Sequence, residues 1–218
     1  MVQNIILFPF GGNAREALMT IEQINKFEKT WKVLGFIDDD RAKWGKVYRG
    51  VKVLGGRDVL QKNKSAKVLA VAGNPNNYLK RGKIIDSLNV AGSRFATIIH
   101  PGSVIGGDVK VGVNCLIMAN TVLTSLVTVG DHCIILPNTT ISHDTVIGNY
   151  CCIGANVAVA GYVTIGENCY IGSGANIRDH ITIGKQALVG LGSNVVKDVK
   201  TKTAVAGNPA KAIKRSAI

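Results

Sequence analysis

From Ile105 to Val195 every sixth residue of the chain is Ile, Leu or Val, sixteen positions in unbroken register. Such a repeat dictates architecture, because each unit can bury its apolar residue only against its neighbours. The following residue is Gly in nine of the sixteen units, where a permissive backbone allows a sharp turn. The fifth place is mostly small or β-branched, as in Cys115, Thr121, Val127, Cys133, Thr139 and Thr145, so two of every six residues point inward. A second period of eighteen overlies the six: Cys115, Cys133, Cys151 and Cys169 recur at that spacing, as do Gly112, Gly130, Gly148, Gly166 and Gly184. Three units then form one triangular coil of short strands, with coils stacked about 4.8 Å apart and each residue above the one eighteen before it. Of the eight charged residues between 105 and 195, seven (Asp108, Asp131, Asp144, Glu167, Arg178, Asp179 and Lys185) fall in the second to fourth places, which face solvent or a partner chain.

Residues 1–96 follow another rhythm. "NIILF" reads as a strand, "PFGGN" as a turn, and "AREALMTIEQINKF" as an amphipathic helix with Ala14, Leu18, Ile21 and Ile24 on its apolar side. "WKVLGFID", "VKVLG" and "AKVLAVAG" read as further strands, and "NYLKRGKIIDSL" as a helix. This alternation predicts a small Rossmann-like βαβ domain with a mainly parallel sheet and a ligand site at the carboxyl ends of its strands. Three turns lie there: Gly11-Gly12-Asn13, Asp38-Asp39-Asp40 and Gly73-Asn74. A glycine turn opening a helix can hold a phosphate on backbone N–H groups, but "GGNARE" lacks the third glycine of a dinucleotide fingerprint.

Charge divides the chain in the same way. Residues 1–96 carry 17 Lys/Arg against 8 Asp/Glu, residues 97–196 carry 3 against 5, and residues 197–218 carry 6 against 1. Two basic ends around a near-neutral middle suggest anionic ligands such as phosphates. A nucleic-acid partner is disfavoured, since a continuous basic face with stacking aromatics is missing and only 6% of residues are aromatic. No apolar run approaches the ~20 residues that span a bilayer, and the opening "MVQNIILFPF" lacks the features of a signal peptide, so a cytoplasmic protein without membrane partners is expected. The cysteines form no C-x-x-C pair, and a buried column of small side chains accounts for four of the five without metal.

Four histidines remain. His100 precedes Pro101 at the entry to the repeat and reads as structural, while His132 and His180 occupy fourth places and read as turn residues. His143 differs: one coil later stands Gly161, which leaves open space and a backbone N–H beside the imidazole. Asp144 could fix the tautomer of His143 if the chain bends between them.

The repeat, together with "VAGNPAKAIK" (residues 205–214), resembles the hexapeptide-repeat acyltransferases. That resemblance implies a left-handed parallel β-helix, usually a homotrimer. Handedness is supplied by the resemblance, because crossovers between parallel strands are generally right-handed. With "GG" after the first strand and "GFIDDD" after the second, the chain as a whole is similar to sugar acetyltransferases of the PglD/NeuD type. The implied organisation is α/β plus all-β: a nucleotide-sugar-binding domain over residues 1–97 and an acetyl-CoA-binding catalytic β-helix over residues 98–218. The implied reaction is N-acetylation of a nucleotide-diphosphate-linked amino sugar for surface glycans such as lipopolysaccharide.

"TISHDTVIG" (residues 140–148) matches the stretch holding that family's general base, which assigns the role to His143, its orientation to Asp144, and the thioester-facing N–H to Gly161. The resemblance further places Gly11, Gly12, Asn13, Asp38, Asp39, Gly73, Asn74 and Arg81 at the sugar nucleotide, and Gly161, Gly172, Ser173, Gly190 and Lys211 at coenzyme A. Departures are Pro9 and Asn13, where the family commonly has Gly and His, and Cys152, where many members carry a second histidine. O-acetylation of a sugar or sialic acid uses the same machinery and is an alternative. A zinc hydratase would need three converging histidines, and the sequence gaps between His132, His143 and His180 are not multiples of eighteen. A noncatalytic binding solenoid is the remaining alternative.

Overall fold

A computed structural model describes residues 1–214; the last four residues of the expected 98–218 domain, including Arg215 of the basic tail, lie outside the described residues. Strand β1 (Gln3–Phe8) leads into helix α1 (Gly12–Phe27), then β2 (Trp31–Ile37), β3 (Val47–Tyr48), β4 (Val51–Gly55), α2 (Asp58–Lys62), β5 (Lys67–Ala70) and α3 (Arg81–Asp86). The sheet order is β3-β4-β2-β1-β5, parallel except for the β3/β4 hairpin. Helix α1 buries Ala14, Ala17, Leu18 and Ile21, the stripe expected from its 3.6-residue period. The sequence pattern missed α2, whose five residues are too few to show a period.

From β6 (Ile98–Ile99) onward the chain is a left-handed parallel β-helix of two-residue strands forming three sheets. The first face begins with β6 and continues through Leu116–Ile117, Ile134–Ile135, Cys152–Ile153, Tyr170–Ile171 and Leu188–Val189. The second begins at Val104–Ile105 and the third at Lys110–Val111. Neighbouring coils pair at the eighteen-residue spacing as far as Val195, as in Val122↔Thr140 and Val146↔Thr164, and the last coil pairs at sixteen, as in Leu188↔Ala204. Ile117, Leu123, Ile135, Ile141, Ile147 and Ile153 are among the aliphatic residues fully buried in the prism core. Each such side chain contributes roughly 1.5–3 kcal/mol of transfer free energy.

The fifth place is small and often polar for a physical reason. Sγ of Cys115, Cys133, Cys151 and Cys169 donates to the carbonyls of Gly130, Gly148, Gly166 and Gly184, and Oγ1 of Thr139 and Thr145 donates to those of Gly154 and Ala160. Corner carbonyls that lack a strand partner thus find a donor inside the prism. The fourth place is left-handed at every corner from Asn114 to Gly192, with φ of 55–61° for the non-glycine residues. That geometry explains why Asn, Asp and Gly recur there.

The N-terminal domain packs on the first face. Ile5, Leu7, Leu18 and Phe36 share one core with Leu116, Met118, Ile134 and Cys152 of the prism. At the third-to-first corner, Asn114 clamps β5: its Oδ1 accepts the Ala70 N–H at 2.7 Å and its Nδ2 donates to the Ala70 carbonyl at 3.0 Å. Nδ2 also lies 3.0 Å from Nδ1 of His132. Because Ala70 fixes which end of Asn114 is the nitrogen, Nδ1 of His132 must accept, and the ring is neutral with its proton on Nε2. His132 is sandwiched by Phe95, edge-on, and Tyr150, stacked at 4.7 Å.

Burial pushes the His132 pKa below its ordinary 6.5 and the Arg81 guanidinium adds to this, against the opposing influence of Asp131 and Asp86. A folded-state pKa below the unfolded value means that acid favours release of the interface: stability is complete above 6.5 and declines as pH falls through that value. Thermal melts from about pH 7.5 to about pH 5.5 should show a falling Tm. His132→Asn, which suits the left-handed backbone, should flatten most of the slope, leaving a remainder from His100, whose pKa burial also lowers. An unchanged slope in that variant would show that His132 is not the responsible group.

Candidate active site

Two features built by different parts of the fold carry the candidate chemistry. The first is a cleft at the carboxyl ends of β1 and β5, about 230 Å³ in volume, lined by Pro9, Gly11, Gly12, Asn13, Gly73, Asn74 and Asn77 among others. Helix α1 opens into it with Gly11 at its N-cap and no side-chain cap, so the first-turn N–H groups face the cleft as an anion site. Asn13 Nδ2 spans the cleft to the carbonyls of Val71 and Gly73 and holds the two turns together. Gly73 is required by close packing: a Cβ there would fall 2.6 Å from Cys152 Sγ and 2.9 Å from Arg81 Nη1. A neighbouring hollow shares Asn13, Gly73 and Asn74 with the cleft and continues over Ile134, Leu136, Cys152 and Tyr170 of the prism.

The structure thus brings Gly11, Gly12, Asn13, Gly73 and Asn74 together, and it leaves three other sequence-predicted residues apart. Asp38 is buried, with its carboxylate engaged by Lys43 Nζ at 3.0 Å and the Asp40 N–H. Asp39 forms a two-point pair with Arg57, whose Nη1 also reaches Ser87. Both acids therefore hold their own loop rather than the cleft. Arg81 requires correction as a substrate contact: it is fully buried, and its guanidinium donates to the His132 carbonyl, tying α3 to the prism. Asn77, which accepts the Asn74 N–H and lines the cleft, was not signalled by the sequence.

The second feature is the second-to-third corner of the prism, at His143. Its Nδ1 lies 2.9 Å from Asp144 Oδ2, and the side chains are 53% and 31% exposed. Adjacent residues can meet in this way because Asp144 occupies a left-handed fourth place, φ 57°, which supplies the bend. The imidazole lies flat over Gly161, where a Cβ would fall 2.6–3.0 Å from three ring atoms. At three other corners the third-place N–H is capped by the side chain one coil above: Val113 by Asp131, Asp131 by Asn149, and Ala155 by Ser173. At this corner the Gly161 N–H has no such partner among the described residues, and it borders the free edge of His143. A general base and an adjacent hydrogen-bond donor are what addition to a carbonyl requires.

Beside this corner, a groove of about 550 Å³ runs across the second face, lined by Ser142, Ala160, Asn176, Arg178, Asn194, Asn208 and neighbours. None of Gly172, Ser173, Gly190 and Lys211 lines it. Gly172 and Gly190 are explained by the coils stacked on them, since a Cβ would meet the Leu191 N at 2.7 Å and the Ala206 Cβ at 2.9 Å respectively. Ser173 Oγ accepts the Ala155 N–H, and Lys211 is exposed on a terminal strand, Lys211–Ile213, paired with Ala204–Ala206. Asn176, Asn194 and Asn208, missed in the sequence, are outward or tail residues that interrupt neither the period nor the apolar pattern.

Cys152 faces the N-terminal domain, and burial raises its thiol pKa despite nearby Arg81, so it is a packing residue rather than a nucleophile. Among the described residues, no three His, Cys, Asp or Glu side chains are grouped to hold a metal. No helix among them is long and apolar enough to cross a membrane.

The profile of the bacterial transferase hexapeptide family (six repeats) matches residues 127–161, which include His143 and Gly161. The matched stretch lies within the stacked coils of the prism. Similarity extends further, along the full chain: a mutant perosamine N-acetyltransferase from Caulobacter crescentus, in complex with CoA and GDP-perosamine, superposes with a TM-score of 0.84 at 25% identity, covering 98% of each chain. WeeI from Acinetobacter baumannii gives 0.82 at 25% identity over 98% of this chain and 100% of that one. The acetyltransferase domain of PglB from Neisseria gonorrhoeae, in complex with acetyl coenzyme A, shares the fold, with 0.83 at 23% identity over 98% and 100%. No curated protein sequence matches the chain. Along its whole length the chain is thus similar in fold to acetyltransferases.

Proposed function

We propose that the protein transfers the acetyl group of acetyl-CoA to the amine of a nucleotide-diphosphate-linked amino sugar, in the cytoplasm. The observation that carries this is His143 held by Asp144 over Gly161, within a chain similar along its whole length to a perosamine N-acetyltransferase. His143 takes the proton of the sugar amine through Nε2 as the nitrogen bonds to the thioester carbonyl carbon. The Gly161 N–H donates to the oxygen that becomes negative. As the C–S bond breaks, the sulfur leaves with its electron pair and receives the proton that His143 holds, giving the N-acetyl sugar and free coenzyme A. The groove beside Ala160 suits the extended thioester, and the α1 N-terminus suits the sugar nucleotide's diphosphate.

The topology also supports a homotrimer. The N-terminal cleft continues onto the first face, whereas His143 lies at the second-to-third corner, the vertex opposite that face. A sugar bound in one chain's cleft cannot lie against the same chain's His143, so the reacting groups come from two neighbours.

The test is acetyl transfer with UDP-, dTDP- and GDP-linked amino sugars, read by thiol release and by gain of one acetyl group in the product mass. Thermal shifts on the same panel identify the nucleotide. Gly12→Asp, at a position with open space for a side chain, should abolish activity by placing a carboxylate in the anion site. Co-assembled with His143→Ala chains it should recover activity, because some sites then contain two intact halves. No recovery in mixed trimers would refute the shared site.

A further inference from the structure

The second-to-third corner contains more order than a base and its aspartate need. One coil above Asp144 stands Tyr162, and one coil above that, His180. The Tyr162 ring meets the His143 ring edge-on, with centroids 5.2 Å apart at 86°, and stacks on His180 at 4.8 Å and 7°. Asp179 Oδ2 lies 3.8 Å from His180 Nε2. All three of Asp144, Tyr162 and His180 sit on left-handed residues, φ 57–59°, so their side chains leave the corner in parallel.

Tyr162 is 52% exposed and supplies little to the core, and a large aromatic in a left-handed conformation is costly where Asn serves at other corners. Stability therefore gives no reason for a tyrosine at this place, and the position of the imidazole gives one. A half-exposed histidine has several rotamers open to it. Asp144 restrains one ring nitrogen and Gly161 provides a floor, but neither stops the ring from swinging outward about its hydrogen bond.

Resting on the acetyl-transfer function proposed above, we infer that Tyr162 is a positioning residue for that reaction, walling the His143 imidazole into its productive rotamer, with His180 stacked behind as a brace. The edge-on contact uses the ring and leaves the hydroxyl out, so phenylalanine should serve as well.

The test compares Tyr162→Asn, Tyr162→Phe, His180→Phe and His180→Ala in the assembled enzyme. Asn suits the left-handed backbone, so Tyr162→Asn should melt within a few degrees of the parent while kcat falls about tenfold and both KM values stay within about twofold. Tyr162→Phe and His180→Phe, which keep the rings, should retain kcat within about twofold, and His180→Ala should fall between them and Tyr162→Asn. An unaltered kcat in Tyr162→Asn, or a loss confined to KM, would overturn the positioning role, the latter assigning Tyr162 to substrate contact. Equal losses in Tyr162→Phe and Tyr162→Asn would overturn it in favour of a hydroxyl function. Failure of the parent enzyme to transfer acetyl at all would instead overturn the proposed function, so the two are separable.

Discussion

Replacing His143 with alanine should lower kcat by about 10²- to 10⁴-fold, the range supplied by a positioned general base. The KM for acetyl-CoA should change little, because the groove on the second face lies alongside the imidazole and is lined by other residues. Folding should be unaffected: the side chain is 53% exposed, and its backbone carbonyl still accepts the Tyr162 N–H. The variant keeps Asp144 and the Gly161 N–H, so a residual rate above the uncatalysed one is expected. A near-parental kcat in a well-folded His143→Ala enzyme would remove His143 as the base and leave no other imidazole at that corner except His180.

Gly161→Ala should cost nearly as much without touching either polar partner. The added Cβ would lie 2.6 Å from Cε1 and 2.8 Å from Nε2 of His143, closer than carbon atoms approach in folded proteins, so the ring has to move. The ring is the mobile member, being half exposed and held by one hydrogen bond, while the corner backbone is fixed by the Tyr162 and His180 N–H bonds to adjoining carbonyls. A kcat loss of about 10²- to 10³-fold with a Tm within a few degrees of the parent is expected, since a misplaced base and a crowded donor are lost together. Gly172→Ala supplies the contrast. There the Cβ meets the backbone N of Leu191 at 2.7 Å, which cannot swing aside, and the damage should appear in the melt. If Gly161→Ala instead melts far below the parent, the glycine serves the fold and not the imidazole.

Much of this arrangement was legible because the β-helix converts sequence spacing into distance. His143 above Ser125 and below Gly161 follows from the eighteen-residue period alone, and the pairing of second-face strands such as Thr140↔Ala158 reproduces it. The Tyr162–His180 stack was equally available from that period, yet His180 reads as a turn residue because the place it occupies is filled variously elsewhere. The first face also carried a signal. Its outward residues Leu116, Ile134, Cys152, Tyr170 and Leu188 are apolar or aromatic, whereas their counterparts on the second face include Thr140, Asn176 and Asn194, and the apolar set marks where the N-terminal domain packs.

The N-terminal site was less legible. No short period registers one loop against another there, so the partners of Asp38 and Asp39 depend on where Lys43 and Arg57 fall in three dimensions. Arg81 misled for a related reason: a cation near a ligand loop suggests anion binding, and only the packing of α3 against the prism shows it bonded to a backbone carbonyl. The pairing of His132 with Asn114 lies across the eighteen-residue step, but its meaning needs β5, which only the folded domain supplies.

The regular coil has one consequence for how such a chain can change in length. The N-terminal domain is anchored to one side of the prism by residues at Asn114, His132 and Asn168, while His143 takes its heading from its distance along the repeat. Adding one six-residue unit between Asn114 and His143 would keep every inward side chain inward and preserve the core. It would also rotate the imidazole by a third of a turn relative to the anchored domain. Adding three units would restore the heading and displace it along the axis by one strand spacing, about 4.8 Å. Growth that spares the fold therefore comes in steps of six, and growth that keeps the heading comes in steps of eighteen, so the unit count acts as a compass bearing for the base.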